Sequence, residues 1–317
     1  MLHKYNSRDM PKNILIYTHM PEFNLGDGGT TVQYNLAKIL DESNQVVRIY
    51  SSSGIMLPNP IFNKFYQNDF PIDDNVVVIY CEGTPGNPLG AKNVVRWMLS
   101  VLGQNVPYHY LETWGKNELV YHFNSEPRFY NFPERIDVMY KLLSSLYVNP
   151  ELKQTNFDNR SGVCYAIRKA PYIHKSGYRL VHPKNSFEIH TQSQSECIEI
   201  FNKYKWFISY DSNTFLTHMA AMCGCISVVY KVNGLSKKDW LKTTAAAEYL
   251  KHTGQDNLYG IAYGQEEMQY AMDTIHLAKK QWEEIVNYCK EKTIIPFIND
   301  INDFENMQNT IVNNYYV

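Results

Sequence analysis

The chain has 317 residues, of which 44% are apolar, and this length and composition favour two folded domains, each with its own core. Its 30 basic and 32 acidic residues give a formal net charge of −2. A net charge this close to zero creates no overall field that would gather nucleic acid or an anionic membrane. Neither is therefore expected as the main partner.

The apolar stretches are too short to insert into a bilayer. Residues 1–12 are polar, the apolar run at residues 14–17 is shorter than a signal peptide requires, and no stretch of about 20 apolar residues follows. We expect a soluble, cytoplasmic protein without an integral membrane span. Its cysteines lie in apolar segments and should be reduced, buried thiols: Cys81, Cys164, Cys197, Cys223, Cys225 and Cys289.

The histidines and cysteines show no metal-binding spacing. A single residue separates Cys223 from Cys225, no matching pair follows, and the histidines contain no His-Glu-x-x-His pattern. We therefore expect neither a metal site nor any other cofactor.

Apolar patterning predicts alternating strands and helices in both halves of the chain. In the first half, it predicts strands at residues 13–18, 46–50, 75–80, 108–111 and 119–123, and helices at residues 29–40, 91–102 and 135–146. In the second half, it predicts strands at residues 163–167, 188–190, 206–209 and 225–229, and helices at residues 195–203, 214–222 and 266–292. Such an alternation is typical of parallel sheets with right-handed crossovers.

A polar stretch after residue 149 marks the boundary between the halves. We predict an α/β protein of two Rossmann-like domains, residues 1–155 and residues 156–317, whose parallel sheets face a cleft. The terminal helix could return to the first domain.

The turn at residues 209–214, Ser-Tyr-Asp-Ser-Asn-Thr, joins a predicted strand to a predicted helix. Backbone N–H groups converge at such a junction, so a diphosphate would suit it. Alternatively, Asp211 or Ser212 only caps the helix, because both residue types are preferred caps.

Two cations strengthen the first interpretation. Arg168 and Lys169 follow the strand predicted at residues 163–167, at the edge where doubly wound sheets bind ligands. A charge pair at a strand end is often only solvated. Together with the turn, however, the pair favours an anion-binding site.

In the first half, the loop Gly26-Asp27-Gly28-Gly29-Thr30 lies between a strand and a helix. Its glycines would let a ligand approach the backbone, although an ordinary tight turn explains them equally well. The loop is neither G-x-G-x-x-G nor a Walker A loop, which argues against an oxidoreductase or a methyltransferase. Asp27 and Glu82 are acids at this edge that could serve as an acid, a base or a hydroxyl-orienting group.

Three segments resemble the nucleotide-sugar glycosyltransferases of the GT-B type, which have two Rossmann domains, and in particular their GT4-like members. The segments are residues 24–40, residues 82–99, and residues 210–216 with 220–229, the last of which is similar to a donor-binding helix and its following strand. The resemblance implies an acceptor-side first domain and a donor-binding second domain. It also implies glycan biosynthesis, in which a hexose or similar sugar moves from a nucleoside-diphosphate sugar to a hydroxyl of a glycan or similar acceptor.

Residue by residue, the resemblance implies that Arg168 and Lys169 hold the donor diphosphate. Gly28 and Gly29 match the loop that approaches the reacting centre. The resemblance assigns donor contacts to the following turn: Tyr210, Asp211, Ser212, Asn213 and Thr214. One position departs from the pattern, because Met219 stands where many members have an acid that binds the ribose, and it cannot accept those hydrogen bonds.

Such a site would act without a metal, since the cations and N–H groups stabilise the leaving diphosphate. An inverting reaction needs a base, and the candidates are Asp27, Glu82, His19 and His109, whereas a retaining reaction needs none. Two other functions stay open: a catalytically silent protein that binds nucleotide sugars or carbohydrates on the same fold, and another Rossmann enzyme. The aromatic residues at 108–110 and 121–123 could stack on a sugar or belong to the core.

Overall fold

The structure is a computed structural model that describes residues 12–23, 27–66, 70–100, 106–124, 141–147, 149–190 and 192–308. The chain divides into two compact units. Unit 1 comprises Met1–Leu146 and Cys289–Val317, and unit 2 comprises Tyr147–Tyr288. The predicted α/β class is confirmed, because each unit contains a parallel sheet.

Unit 1 contains a six-stranded sheet in the order β2-β1-β3-β4-β5-β6. Every neighbouring pair is parallel. The strands are β1 (Asn13–Thr18), β2 (Val47–Ser51), β3 (Val76–Cys81), β4 (Asn93–Met98), β5 (Leu119–His122) and β6 (Lys141–Leu142). Helix α1 (Gly28–Glu42) follows β1 and packs Leu36 and Leu40 into the core beside Ile14 and Ile16. All residues of β3 and β4 are buried, as expected of parallel strands covered on both faces.

Unit 2 contains a five-stranded sheet in the order β11-β10-β9-β7-β8, again parallel throughout. Its strands are β7 (Val163–Ala166), β8 (Phe187–Glu188), β9 (Trp206–Ser209), β10 (Ile226–Val229) and β11 (Ile261–Tyr263). The helices are α2 (Ala170–Ile173), α3 (Gln194–Lys203), α4 (Leu216–Met222), α5 (Lys237–Lys242), α6 (Ala247–Thr253), α7 (Met268–Thr274) and α8 (Ala278–Cys289). A capping box of Ser193 and Glu196 begins α3.

The end of the chain belongs to unit 1. After α8, a π-helical turn (Lys290–Ile294) leads into α9 (Ile295–Asn302). Phe297 packs on the ring of Tyr121, and the Asp300 carboxylate accepts hydrogen bonds from the Tyr121 hydroxyl at 2.6 Å and from Lys141 Nζ at 2.7 Å. These bonds fasten α9 to β5 and β6.

Several predicted elements are wrong. The helix predicted at residues 91–102 is strand β4 at Asn93–Met98, whose buried charged residue, Arg96, interrupts the apolar pattern. The strand predicted at residues 108–111 is a 3₁₀ helix, Tyr108–Thr113. Of the helix predicted at residues 135–146, the described part contains strand β6 and no helix, and residues 135–140 lie outside the described residues. The helix predicted at residues 266–292 starts with a 3₁₀ turn at Gln265–Glu267 and is broken by a second one at Ile275–Leu277.

The six cysteines are buried, unpaired thiols. Among the residues described, no helix has the length and apolar character that crossing a bilayer requires.

Candidate functional site

The strand order of unit 2 creates a switch point between β7 and β9. From β7 the chain moves outward to β8 on one side, and it then returns to β9 on the other side of β7. The loops that leave β7 and β9 therefore diverge at the carboxyl edge, which is where sheets of this order bind ligands. Ala166 pairs with Ser209 at the end of both strands, and the Tyr210 N–H donates to the Ala166 carbonyl at 2.9 Å.

Both segments predicted to bind the donor leave this switch point. Arg168 and Lys169 follow β7, and residues 210–214 follow β9. The predicted proximity of the cations and the turn is thus present in the structure. It arises because β7 and β9 are neighbours in the sheet, although 39 residues (167–205) lie between Ala166 and the start of β9 at Trp206.

Arg168 has an unusual backbone conformation. Its φ is +42°, a value that residues other than glycine rarely adopt and that costs about 1–3 kcal/mol. The side chains of Arg168 and Lys169 are exposed, and neither makes a hydrogen bond or ion pair with any described residue. Residues held in such sparsely populated conformations cluster at functional sites.

The turn after β9 is braced from several sides. The Asp211 carboxylate, which is buried, accepts the Asn213 N–H at 3.0 Å, and Ser209 Oγ donates to the Asp211 carbonyl at 2.6 Å. Trp240 of α5 donates its indole N–H to the Ser212 carbonyl at 2.7 Å. These contacts give the turn one conformation that a ligand need not organise.

The alternative of a plain helix cap is wrong for Asp211 and Ser212. Helix α4 begins at Leu216, its N-cap position is Phe215, and that position has no side-chain cap bond. Because α4 has only seven residues and starts beyond the turn, we attribute any anion binding here to the cations rather than to a helix terminus.

Tyr210 has a structural contact where a donor contact was predicted. The residue is fully buried, and its hydroxyl accepts the backbone N–H groups of Val181 at 2.7 Å and His182 at 3.3 Å. His174 Nε2 lies 2.9 Å from the Tyr210 carbonyl oxygen. Burial raises the pKa of Tyr210 above its ordinary value. The side chain therefore holds the segment between β7 and β8 (residues 167–186, the β7–β8 segment) against the sheet.

We expect Tyr210→Phe to destabilise the β7–β8 segment, because the two backbone donors would lose their acceptor. A part-buried N–H without a partner costs about 1–3 kcal/mol, so the free energy of unfolding should fall by about 2 kcal/mol. Hydrogen exchange should accelerate at the amides of Val181 and His182. Tyr172→Phe removes an exposed hydroxyl as the control and should change neither quantity. Unchanged exchange at residues 181 and 182 in Tyr210→Phe would contradict this role.

Unit 1 has its own switch point between β1 and β3. His19 follows β1, and the loop beginning at Glu82 follows β3. His19 Nε2 lies 3.1 Å from Thr84 Oγ1, so the exposed imidazole is oriented by the neighbouring loop. The structure thus brings His19 and the Glu82 loop together at one sheet edge.

The Glu82 carboxylate is occupied by its own chain. The side chain is buried and accepts the Leu99 N–H at 2.9 Å, the Ser100 N–H at 3.0 Å and the Ser100 hydroxyl at 2.7 Å. These bonds fix the loop that leaves β4. A general base needs a lone pair directed at the acceptor, so the geometry favours a positioning role for Glu82.

Asp27 and the two glycines lie at the start of α1. One carboxylate oxygen of Asp27 caps the helix by accepting the Thr30 N–H at 2.6 Å. A Cβ on Gly28 would meet no atom of the described residues within 4 Å, whereas a Cβ on Gly29 would lie 3.3 Å from the Asp27 carboxylate. No described residue therefore fills the space beside Gly28. His109 is exposed in the 3₁₀ helix beside Tyr110.

Sequence reasoning missed the role of the residue that organises this edge. Arg96 of β4 is fully buried and forms an ion pair with Glu118 at 2.7 Å. Its guanidinium also donates to the carbonyls of Thr84 and Gly86 and lies over the rings of Tyr80 and Trp114. The side chain thereby fixes the loop that carries Thr84. Its position among the apolar residues of β4 was the only signal in the sequence.

Other residues singled out in the sequence belong to the core. Met219 is buried, and so are Tyr121 and His122. Burial lowers the pKa of His122 to about 4, which keeps the ring neutral near pH 7. Of the tyrosine and phenylalanine residues considered for sugar stacking, Tyr108 is the most exposed, at 59%.

Fold and geometry together define an α/β protein with two Rossmann-like parallel sheets, each of which has polar side chains at its switch point. No protein-family profile matches the chain, and no curated protein matches it. Among solved structures, it is similar to T4 phage BGT in complex with UDP and Mn²⁺, with 10% identity, a TM-score of 0.44, and coverage of 95% of this chain and 99% of that chain.

Two further solved structures show the same degree of similarity. One is an alpha-glucosyltransferase in complex with UDP and a 13-mer DNA containing a HMU base, with 11% identity, a TM-score of 0.42, and coverage of 96% and 100% of the two chains. The other is the glycotransferase of kitacinnamycin, with 10% identity, a TM-score of 0.38, and coverage of 93% and 99%. Similarity at this level carries no argument about activity.

Proposed function

We propose that the chain is a glycosyltransferase that uses a nucleoside-diphosphate sugar and that unit 2 binds this donor. The observation that carries the proposal is the placement of Arg168 and Lys169 and the turn at residues 210–214 on either side of one switch point. The strained, exposed Arg168 supports it further. That the transferred group is a sugar rests on the sequence resemblance.

In this proposal the cations act on the leaving group. As the bond between sugar and diphosphate breaks, negative charge grows on the phosphate oxygens, and Arg168 and Lys169 stabilise it. A guanidinium can hold two phosphate oxygens through parallel N–H bonds. The two side chains could supply the charge that a divalent metal supplies elsewhere, so we propose a reaction that does not require one.

The acceptor side is assigned to unit 1. We propose His19 as the base that takes the proton of the acceptor hydroxyl, because Thr84 orients its ring. Asp27 is the second candidate, since only one of its carboxylate oxygens accepts a described hydrogen bond. Glu82 would hold the surrounding loops, and His109 is the least constrained of the four.

The experiment is a thermal-shift panel of UDP, GDP, dTDP, ADP and CMP, followed by measurement of nucleoside diphosphate release from the matching nucleotide sugar. We expect one diphosphate to stabilise the protein by mass action and its sugar conjugate to be hydrolysed slowly without acceptor. Release should persist in excess chelator. Complete loss of release in chelator would refute the metal-independent mechanism, and absence of stabilisation by every nucleotide would refute donor binding.

A second candidate is a catalytically silent protein that binds nucleotide sugars. Two observations favour it. The Glu82 carboxylate already accepts hydrogen bonds from its own chain, and the buried Met219 stands where many GT-B glycosyltransferases have an acid that binds the ribose. Stabilisation by a nucleotide sugar without any release of diphosphate would select this function.

A further inference from the structure

The near-neutral net charge of the chain conceals a local excess of cations. Residues 159–187 contain six basic residues and no acidic residue, although the whole chain has 30 basic and 32 acidic residues. Arg160 is turned inward, where it donates to backbone carbonyls such as that of Phe201. The other five are exposed: Arg168, Lys169, Lys175, Arg179 and Lys184.

The β7–β8 segment carries these five cations. Inward side chains hold one side of it against the rest of unit 2. His174 is buried, and its ring contacts those of Tyr178 and Tyr230. The Arg179 N–H donates to the Tyr230 hydroxyl at 3.3 Å, and His182 stacks on Tyr165 with ring centroids 3.6 Å apart. These contacts define which side of the β7–β8 segment packs against the rest of unit 2.

Six exposed residues of the same segment precede, separate or follow these inward residues, and we call this set the basic–apolar face. Tyr172 is 74% exposed, Leu180 49% and Val181 40%. The side chains of Lys175, Arg179 and Lys184 make no hydrogen bond or ion pair with any residue in the described ranges. The face thus comprises three apolar and three cationic side chains: Tyr172, Lys175, Arg179, Leu180, Val181 and Lys184.

Two classes of polyanion could match these cations, and the apolar side chains distinguish them. A nucleic acid offers phosphates and stackable bases, which would engage the cations and Tyr172 but would gain little from exposed aliphatic groups. An anionic bilayer offers phosphates above an apolar interior, where leucine and valine side chains become buried and tyrosine favours the boundary. The aliphatic pair therefore favours the bilayer.

We propose that the basic–apolar face docks unit 2 on the surface of membranes that contain anionic lipids. The cations bind the headgroups, and Tyr172, Leu180 and Val181 enter the boundary between headgroups and acyl chains. This docking is independent of the proposed transferase activity, because it uses neither Arg168 nor Lys169, which are assigned to the donor. It is also compatible with a chain whose net charge is near zero, since the field of the face decays within about 10 Å.

The test is co-sedimentation of the full chain with vesicles of phosphatidylcholine, with or without about 30 mol % phosphatidylserine. We expect binding only to the anionic vesicles. The triple variant Lys175→Gln/Arg179→Gln/Lys184→Gln should bind about 100-fold more weakly, because each cation near an anionic surface contributes about fivefold. A control variant removes equal charge from exposed positions elsewhere in unit 2, Lys203→Gln/Lys205→Gln/Lys251→Gln, and should bind like the parent chain.

A second variant tests the apolar part of the face. Tyr172→Ser/Leu180→Ser should keep the electrostatic attraction but lose the fraction of binding that resists high salt. Circular dichroism of each variant checks that the fold is retained. Equal loss of binding in the two lysine-containing triple variants would overturn the proposal, and so would equal binding to neutral and anionic vesicles. If the parent chain binds a single-stranded oligonucleotide more tightly than anionic vesicles, the partner of the face is a nucleic acid and the membrane proposal is overturned.

Discussion

Arg168→Gly is expected to weaken the binding of the nucleoside diphosphate about 10- to 100-fold without destabilising unit 2. A hydrogen bond to a charged group contributes about 1.5–3 kcal/mol, and the variant removes the guanidinium that would make such bonds to phosphate. Glycine adopts a φ of +42° at no steric cost, so the strain at this position disappears. Isothermal titration with the diphosphate selected by the panel measures the affinity, and thermal denaturation measures the stability.

Two companion variants sharpen this experiment. Arg168→Ala should lose the same affinity but keep the backbone strain, so it should be less stable than Arg168→Gly. Arg179→Ala removes another exposed arginine from the same β7–β8 segment and should leave nucleotide affinity unchanged. Equal nucleotide affinity in the parent chain and in Arg168→Gly would exclude Arg168 from the donor site.

Arg96→Met is expected to lower the free energy of unfolding of unit 1 by about 3–5 kcal/mol, because removing one partner leaves the other charge of a buried pair uncompensated. Three groups lose the donor that Arg96 provides: the Glu118 carboxylate, whose side chain is 11% exposed, and the carbonyls of Thr84 and Gly86. Hydrogen exchange of amides in β3, β4 and β5 measures the loss in unit 1 separately from unit 2.

The partner residue provides the internal test of this prediction. Arg96→Met/Glu118→Leu removes both charges and should recover much of the loss, since apolar replacements of a buried pair are often neutral. Lys92→Met breaks the exposed ion pair with Asp74 and should change stability little. A loss in Arg96→Met no larger than that in Lys92→Met would show that the buried pair does not hold this edge.

Of the five strands described in unit 2, the sequence predicted four, β7 to β10, and missed β11. Strand β9 begins and ends where predicted, as does β1 in unit 1. The prediction succeeded because a short apolar run bounded by polar residues is a local property of the chain. The cations after β7 and the turn after β9 were identified for the same reason.

The middle of unit 1 was predicted poorly for a physical reason. In a strand buried on both faces, the usual alternation of polar and apolar residues is absent, so β4 resembles a helical segment. Arg96 added to the error because its buried charge is compensated by Glu118, which lies 22 residues further along the chain, and by the carbonyls of Thr84 and Gly86. No local pattern records these partners.

The sequence by itself determined strands β1 to β3 and β7 to β10 and the polar residues that follow them, because these depend on neighbours along the chain. Only the tertiary structure decided which strands are adjacent, and hence that Arg168 and the turn after β9 share a switch point. It also decided that Tyr210 and Glu82, both predicted to meet substrate, are engaged by Val181 and Ser100. Such hydrogen-bond partners are fixed by sheet order and register, which bring together segments that are distant in sequence.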